Sequence, residues 1–435
     1  MTESHRPAEG RYREIVEQSV RRALRANRPL PADDEDLVET GALDSMGWVS
    51  VLESIEEAAG VKELLDPAEE GAACSIAALI AALERNLVSG QDEMALTDAV
   101  AAPHPTAQAA SSAPVEIAGW GAVLGSRRVE VAAIEREYDL AAGTLRERAG
   151  IESVARAGEA ENELSLAAQA ADQALRAASS SIGEVDWLIA TSETFVGFPS
   201  FGSLLHTRLL ARGTCGVLDV GGACIGLLNA LSVANSLLSA GTANRVLITT
   251  AEVHIRRLGP GCVAGEFGGL FGDGASAFVL SRAAATESGS RYRIRDFQFG
   301  CEGSSSSALA VGMRADGQVS LAFRGEALAR AALARLEKII SALELRTGFS
   351  RRAASSFATH QPNPRIIEML ARQANLPLEK FPVVSRTFGN LGSSTCGVAL
   401  SLALGEHAGK PAGERGPIFL AAVGPGMLWG GGVLC

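Results

Sequence analysis

Two hydrophobic rhythms divide this chain. Up to about residue 90 the apolar positions recur at helical spacing. The stretch YREIVEQSVRRAL puts Ile15, Val16, Ser19, Val20, Ala23 and Leu24 on one face. Ser45 to Gly60 predicts a second helix with Trp48, Val51, Leu52 and Ile55 aligned, and CSIAALIAALERNLV a third with Ile76, Leu79, Ile80 and Leu83. Residues 91–113 break the rhythm with Ala, Pro, Ser and Thr. They predict a flexible linker, with a coil span of roughly 25–29 Å.

Beyond residue 114 the pattern changes to short apolar runs alternating with Ala-rich helices. VDWLIAT, GVLDV, RVLITTAEV, ASAFVLS, SSFATH and GPIFLAAV predict strands; LSLAAQAADQALRAA, IGLLNALSVANSLLSAG, ALARAALARLEKIISAL and NPRIIEMLARQANL predict helices. The alternation implies a layered α/β fold. It also repeats. VDWLIATSET, GVLDVGGACIGLLNAL and RVLITTAEV are answered by SSFATHQPN, FPVVSRTFGNLGSSTCGVALSLAL and GPIFLAAVG. Each half should close with strand, small-residue turn, helix and strand. The halves run over about 114–285 and 286–435, after a small all-α unit over 10–90.

Composition narrows the function. A chain of 435 residues holds two or three domains, and 47% hydrophobic residues supply a large core. The net charge of -11 argues against nucleic acid as a partner. Thirteen Asp and Glu against one Lys between residues 31 and 70 give the small unit an acidic face. The seven cysteines (74, 215, 224, 262, 301, 396, 435) form no CxxC pair, so no metal site is expected, and the odd count fits a reducing cytoplasm. The first residues have no apolar signal core, and no apolar run is long enough to span a membrane.

In the small unit a Ser follows an Asp at the start of an amphipathic helix: Gly41-Ala42-Leu43-Asp44-Ser45-Met46. Alone this reads equally as a helix N-cap. On an acidic helical unit followed by a linker it resembles the Gly-x-Asp-Ser-Leu motif of acyl carrier proteins, over residues 10–90. One extra residue separates Gly41 from Asp44, and Met46 stands for Leu. The resemblance implies a four-helix carrier bundle, 4′-phosphopantetheine on Ser45, a phosphopantetheinyl transferase as partner, and an acidic docking helix.

In the larger unit Cys224 follows a strand and a Gly-Gly turn and opens an apolar helix, in LDVGGACIGLLNAL. The helix dipole there favours a thiolate. The other six cysteines read as buried structural ones. His360 ends the strand SSFATH, and Asn390 sits in the small-residue loop TFGNLGSST. Singly, each has an ordinary structural reading. Together, DVGGACIG, FGDGASAFVL, THQPNPRII, FGNLGSST and GPGMLWGG are similar, in order and spacing, to ketoacyl-ACP synthase III enzymes of the thiolase superfamily. That resemblance covers residues 115–435 and implies a duplicated αβαβα thiolase fold. It makes Cys224, His360 and Asn390 the catalytic triad and pairs the N–H of Gly426 with that of Cys224 in an oxyanion hole. Phe198 would reach into the partner of a homodimer, and Arg148 and Arg365 would contact phosphates or a carrier. One position departs: Thr144 stands where relatives using a CoA primer often carry a Trp, which weakens the case for tight CoA binding.

The chemistry this implies is attack of Cys224 on an acyl thioester, then decarboxylative condensation with a malonyl-type thioester on a carrier or CoA. Fusion to a carrier points to polyketide or other secondary metabolism more than to initiation of fatty acids. Two other enzymatic outcomes stay open: acyl transfer to a hydroxyl, amine or thiol without loss of CO2, and head-to-head condensation of two acyl chains. A non-catalytic interaction subunit is opposed by the intact Cys, His and Asn.

Overall fold

The computed structural model describes residues 6–24, 28–38, 40–43, 45–60, 64, 74–89, 114–260, 262–263, 266–283, 291–303, 309–313, 319–323, 325–411 and 414–435. The chain forms two compact units, Met1–Ala110 with Arg324–Arg330, and Ser111–Phe323 with Ala331–Cys435.

In the first unit the described residues form three helices: α1 (Arg6–Ala23), α2 (Ser45–Ala59) and α3 (Ile76–Ser89). Their apolar faces close one core of Val16, Val20, Trp48, Val51, Leu52, Ile55, Leu79 and Leu83, with Leu37 from the connection. At this core the buried Ser19 donates to Ser54 Oγ at 2.9 Å. A fourth helix is not among the described residues, and the linker over 91–113 lies outside them.

In the second unit the strands are β1 (Val115–Leu124), β2 (Arg127–Glu130), β3 (Ser153–Arg156), β4 (Trp187–Thr191), β5 (Gly216–Asp219), β6 (Arg245–Glu252), β7 (Gly274–Arg282), β8 (Ile294–Cys301), β9 (Leu309–Met313), β10 (Val319–Phe323), β11 (Ser356–Thr359), β12 (Ile418–Gly424) and β13 (Leu428–Leu434). Two sheets build the body, ordered β1-β7-β6-β4-β5 and β11-β12-β13-β8. Their pairing senses match. β4 runs parallel to β6, β6 antiparallel to β7, and β7 antiparallel to β1. Likewise β11 runs parallel to β12, β12 antiparallel to β13, and β13 antiparallel to β8. Among the described residues the second half has no counterpart of β5. The strand expected at FPVV is irregular, and Pro382 there has no N–H to give a ladder.

The helices of this unit are α4 (Val131–Glu137), α5 (Glu163–Ala177), α6 (Phe201–Leu209), α7 (Gly226–Ser239), α8 (Ile255–Leu258), α9 (Glu266–Gly269), α10 (Gly325–Thr347, of which the residues up to Arg330 fall in the first unit), α11 (Pro364–Gln373), α12 (Ser385–Phe388) and α13 (Ser393–His407). Helices α7 and α13 share one core with the inner faces of both sheets: Leu227, Leu231 and Ala234 with Val398, Leu400 and Leu404, against Ile189, Ile248 and Phe278 on one side and Ala358, Leu420 and Ala422 on the other. A helix buried on nearly all sides, such as α13, belongs in a middle layer. The alternate residues of the first sheet, Leu188, Ala190, Leu247 and Val279, pack instead on α5. The period-two alternation of the strands thus sorts residues between the two cores, in the layered α/β order that the alternation predicts and in keeping with the thiolase-type stack that the resemblance implies.

Candidate active site

Cys224 is placed by a strained turn. After β5 the chain passes Gly222, with φ 128°, where a Cβ would meet Asn229 Nδ2 at 2.3 Å. Asn229 Nδ2 donates to the Gly221 carbonyl at 2.9 Å and ties α7 back onto the turn. Ala223 follows with φ 46°, a conformation that costs an L-residue about 1–2 kcal/mol. Cys224 then lies in the single turn Ala223–Ile225 ahead of α7. The thiol is only partly accessible. The expected thiolate does not follow. Burial pushes the Cys224 thiol well above its ordinary range, the charges of Glu193 and Glu252 push the same way, and only its own N–H opposes them. Desolvation and like charge both disfavour the thiolate there.

Strand β12 carries the other side. A Cβ at Gly424 would lie 3.4 Å from Cys224 Cβ and 3.5 Å from its N. The structure therefore brings Gly424 against Cys224. The contacts of Gly426 run elsewhere: its carbonyl accepts from Cys301 Sγ at 3.7 Å. Between the two stands Pro425, which has no N–H.

His360 follows β11 and donates its backbone N–H to Ala421 of β12 at 2.9 Å. Its ring is buried. Burial lowers its pKa to about 4, against the opposing Glu193 charge and the Gly392 backbone, so the imidazole is neutral. Its Nδ1 has no partner among the described residues.

Asn390 is buried and pinned from both sides. Its backbone exchanges bonds with Leu270 and Gly272, each at 2.9 Å. Its Oδ1 accepts from Gly392 N at 3.0 Å and Thr395 Oγ1 at 3.2 Å. With both acceptor positions of Oδ1 filled, the amide can offer the site only N–H donors. Cys224 and His360 thus both border β12, at Gly424 and Ala421, and Gly392 links His360 to Asn390.

The remaining expected residues have local contacts of their own. Arg148, in the turn Thr144–Ala149, pairs with Glu266 at 3.4 Å. Arg365, at the start of α11, bonds Glu368 at 2.9 Å and the Glu147 carbonyl at 3.4 Å. These two arginines are therefore on adjoining segments. Thr144 Oγ1 donates to the Ala141 carbonyl at 2.7 Å. Phe198 is fully exposed (101%) beside exposed Val196. Ser45 is the first residue of α2, while Asp44 lies outside the described residues. Of the six other cysteines only Cys215 and Cys396 are buried; Cys262 and Cys301 are exposed, contrary to expectation. Cys396 donates to the Ala358 carbonyl at 3.1 Å, and burial raises its pKa to about 12, which makes it inert.

Sequence reasoning missed Glu193, Glu252 and His254. Glu252 ends β6 and is fully buried. It accepts from the backbone N–H of Glu193 at 3.0 Å and of Thr194 at 3.0 Å, and from Ser192 Oγ at 3.4 Å and Ser393 Oγ. Burial and the Glu193 charge still raise its pKa to about 8. His254 Nδ1 bonds the Gly272 carbonyl at 2.8 Å, and its Nε2 lies 3.7 Å from Glu193 Oε1. Burial alone would lower its pKa, but Glu193, Glu252 and Asp273 lift it to about 9. The three side chains could in principle hold a cation. Against that, the oxygens of Glu252 are already taken up by four donors. The available signal was positional: SET and AEVH both stand at the C-terminal ends of adjacent parallel strands, where open α/β sheets carry their sites.

Comparison with known proteins places this sequence among relatives. The family model 3-Oxoacyl-[acyl-carrier-protein (ACP)] synthase III matches residues 218–303, and its C-terminal companion matches residues 346–435. The chain is 32% identical over 330 residues to the β-ketoacyl-[acyl-carrier-protein] synthase III of Ruegeria sp. (strain TM1040), covering 73% of this chain and 98% of that protein. The crystal structure of 3-oxoacyl-[acyl-carrier-protein] synthase III from Aquifex aeolicus VF5 superposes with a TM-score of 0.65 at 29% identity, over 74% of this chain and 99% of that one. The priming β-ketosynthase of the R1128 polyketide pathway shares the fold, with a TM-score of 0.64 at 24% identity, over 74% of this chain and 96% of that one.

Proposed function

The chain belongs to the 3-oxoacyl-[acyl-carrier-protein] synthase III family, and on that premise we propose that it forms an acyl-Cys224 thioester and condenses it decarboxylatively with a malonyl-type thioester. One observation carries this reading. Asn390, whose Oδ1 is taken up by Gly392 and Thr395, has only its NH2 left to offer, which makes a donor face in a buried site. Such a face suits the oxygen of an enolate, which gains negative charge as CO2 departs. The buried Nδ1 of His360 costs about 1–3 kcal/mol while unpaired, a cost a substrate hydrogen bond would relieve.

In the first half-reaction Cys224 attacks the acyl thioester and the donor thiol leaves. The Cys224 N–H and a second N–H, assigned to Gly426, hold the oxyanion. In the second, the malonyl thioester loses CO2, its enolate rests on His360 and Asn390, and its carbon attacks acyl-Cys224 to give a β-ketoacyl thioester. Residues 10–90 serve as an acyl carrier bearing 4′-phosphopantetheine on Ser45, loaded by a phosphopantetheinyl transferase. Tethering gives such a carrier an effective concentration of about millimolar, which offsets the lack of a stacking Trp at Thr144. Arg148 and Arg365 receive phosphate or carrier, and fully exposed Phe198 supports a homodimer. The fusion favours polyketide or related secondary metabolism.

A second reading, acyl transfer to an uncharged acceptor without loss of CO2, draws on Glu193, whose charge reaches Cys224 and His360 and would repel a malonyl carboxylate. Release of labelled CO2 from malonyl thioester, dependent on prior acylation, tests the choice: its absence, with acyl-Cys224 still formed, overturns condensation.

A further inference from the structure

We propose that Glu193 and His254 form a polar subsite for a hydroxyl group that one of the two thioester substrates carries close to its carbonyl; the proposal rests on the condensation reading, in which Asn390 receives a thioester oxygen.

Two glycines hang this pair of side chains around Asn390. Gly272 donates its N–H to the Asn390 carbonyl at 2.9 Å, and its own carbonyl accepts from His254 Nδ1 at 2.8 Å. Phe271, beside it, forms a parallel bridge with Asn390 and lays its ring against that of His254, with the centroids 4.6 Å apart. On the other side Gly392 donates to Asn390 Oδ1 at 3.0 Å. A Cβ on Gly392 would stand 1.9 Å from Glu193 Oε1 and 3.1 Å from His254 Cε1. The residue that bonds the Asn390 amide is therefore also the one against which both side chains rest.

The strand ends fix the pair. Strands β4 and β6 run parallel, with Thr191 opposite Thr250, so the segments that follow them leave the sheet together. Glu252 accepts the N–H groups of Glu193 and Thr194, each at 3.0 Å, and Thr194 Oγ1 accepts the N–H of Val253 at 2.9 Å. Only the two side-chain tips are left over. His254 keeps 4% of its side-chain surface exposed, and its Nε2 has no hydrogen-bond partner among the described residues. Glu193 Oε1 stands 3.7 Å from it, beyond a direct bond. The Glu193 side chain is 25% exposed, so the pair is closed on the His254 side and open on the other.

That spacing suits one bridging oxygen. An atom at an ordinary hydrogen-bond distance of about 2.8 Å from each tip can touch both at once. Because Nδ1 donates to Gly272, the next proton the pair holds lies either on Nε2 or on the carboxyl. Both arrangements present one donor and one acceptor, and a hydroxyl answers them in reverse. A carbonyl or ether oxygen only accepts, and an ammonium only donates. A methylene does neither and leaves a buried nitrogen unpaired. Since both tips flank the glycine bonded to the Asn390 amide, the hydroxyl belongs on the α or β carbon of its thioester. The acyl chain delivered to Cys224 or the malonyl-type unit could bring it.

Rate ratios on the full-length protein test the subsite and tell the two sources apart. In one arm, mass spectrometry follows acylation of Cys224 by N-acetylcysteamine thioesters of butanoate, its α- and β-hydroxy forms and their methyl ethers. In the other, CO2 release is compared for hydroxymalonyl, methoxymalonyl and malonyl thioesters after butanoyl priming. In one arm the hydroxylated thioester reacts about 10–10²-fold faster than both its unsubstituted and its ether counterparts. His254→Leu and Glu193→Leu each bring that ratio down to about one. Each ratio is taken on a single protein, so partial misfolding of a variant lowers both rates together, and the ether comparison needs no variant. A hydroxylated thioester that is no faster than its counterparts in either arm, or a preference that persists in both variants, overturns the proposal. The condensation reading then stands, because butanoyl and malonyl thioesters still react. No acylation of Cys224 by any thioester, with no CO2 released, overturns both.

Discussion

Asn390→Asp isolates the donor face on which condensation depends. The substitution keeps the shape of the side chain and keeps the acceptor that Gly392 N (3.0 Å) and Thr395 Oγ1 (3.2 Å) require. What it removes is the NH2 group, and the oxygen in its place cannot donate. Loss of one preorganised donor to a developing oxyanion costs about 2.7–4 kcal/mol, or roughly 10²–10³-fold in rate. The fold should survive, since bonds to a charged acceptor are stronger than those to a neutral one. The assay follows the half-reactions separately, as acyl mass on Cys224 and as CO2 released from malonyl thioester. Acylation stays within about tenfold of the unaltered rate, because Asn390 is not asked to hold the acyl oxyanion, while CO2 release falls by about 10²–10³-fold. Equal losses in both steps, or an unchanged CO2 rate with acylation intact, would refute the assignment of Asn390 to the enolate.

Other outcomes follow from single features of the site. Gly392→Ala forces a Cβ to 1.9 Å from Glu193 Oε1 at φ 55°. Strain of about 1–3 kcal/mol should appear as a lower urea midpoint. His254, lifted from 6.5 to about 9 in the folded protein, contributes stability that is complete below pH 6.5 and lost as pH rises through 9. The loss amounts to about 3 kcal/mol over that window, and urea unfolding of His254→Asn should show a flatter alkaline slope. Phe198→Asp should shift sedimentation from dimer toward monomer if the exposed Phe198 is buried in a partner.

The layered body was legible because its strands are buried on both faces: VLIT in β6 and SAFVL in β7 are continuous apolar runs that the α/β alternation sorts into place. Strand β13 was not legible, because WGGGVL reads as a turn. It is a strand since the glycines are demanded by their neighbours: a Cβ at Gly430 would lie 2.7 Å from Phe299, at Gly431 2.3 Å from Ile339, and at Gly432 2.7 Å from Phe297. Cys224, His360 and Asn390 were visible as motifs at the ends of strands and helices. The state of Cys224 was not, because the charges that raise its pKa come from Glu193 and Glu252, residues 31 and 28 positions away in sequence. Their contact depends on β4 lying beside β6. Local spacing records helix faces and turn residues; it does not record which strands pair.

The most direct test of the account is mass spectrometry of the phosphopantetheinylated full-length protein mixed with acyl and malonyl thioesters, tracking the Ser45 and Cys224 peptides with Cys224→Ala as control. The account predicts acyl mass on Cys224, then CO2 release and a β-ketoacyl adduct on the Ser45 arm, all absent in the control. Acyl exchange between Ser45 and Cys224 with no CO2 released, or the same products from Cys224→Ala, would contradict it.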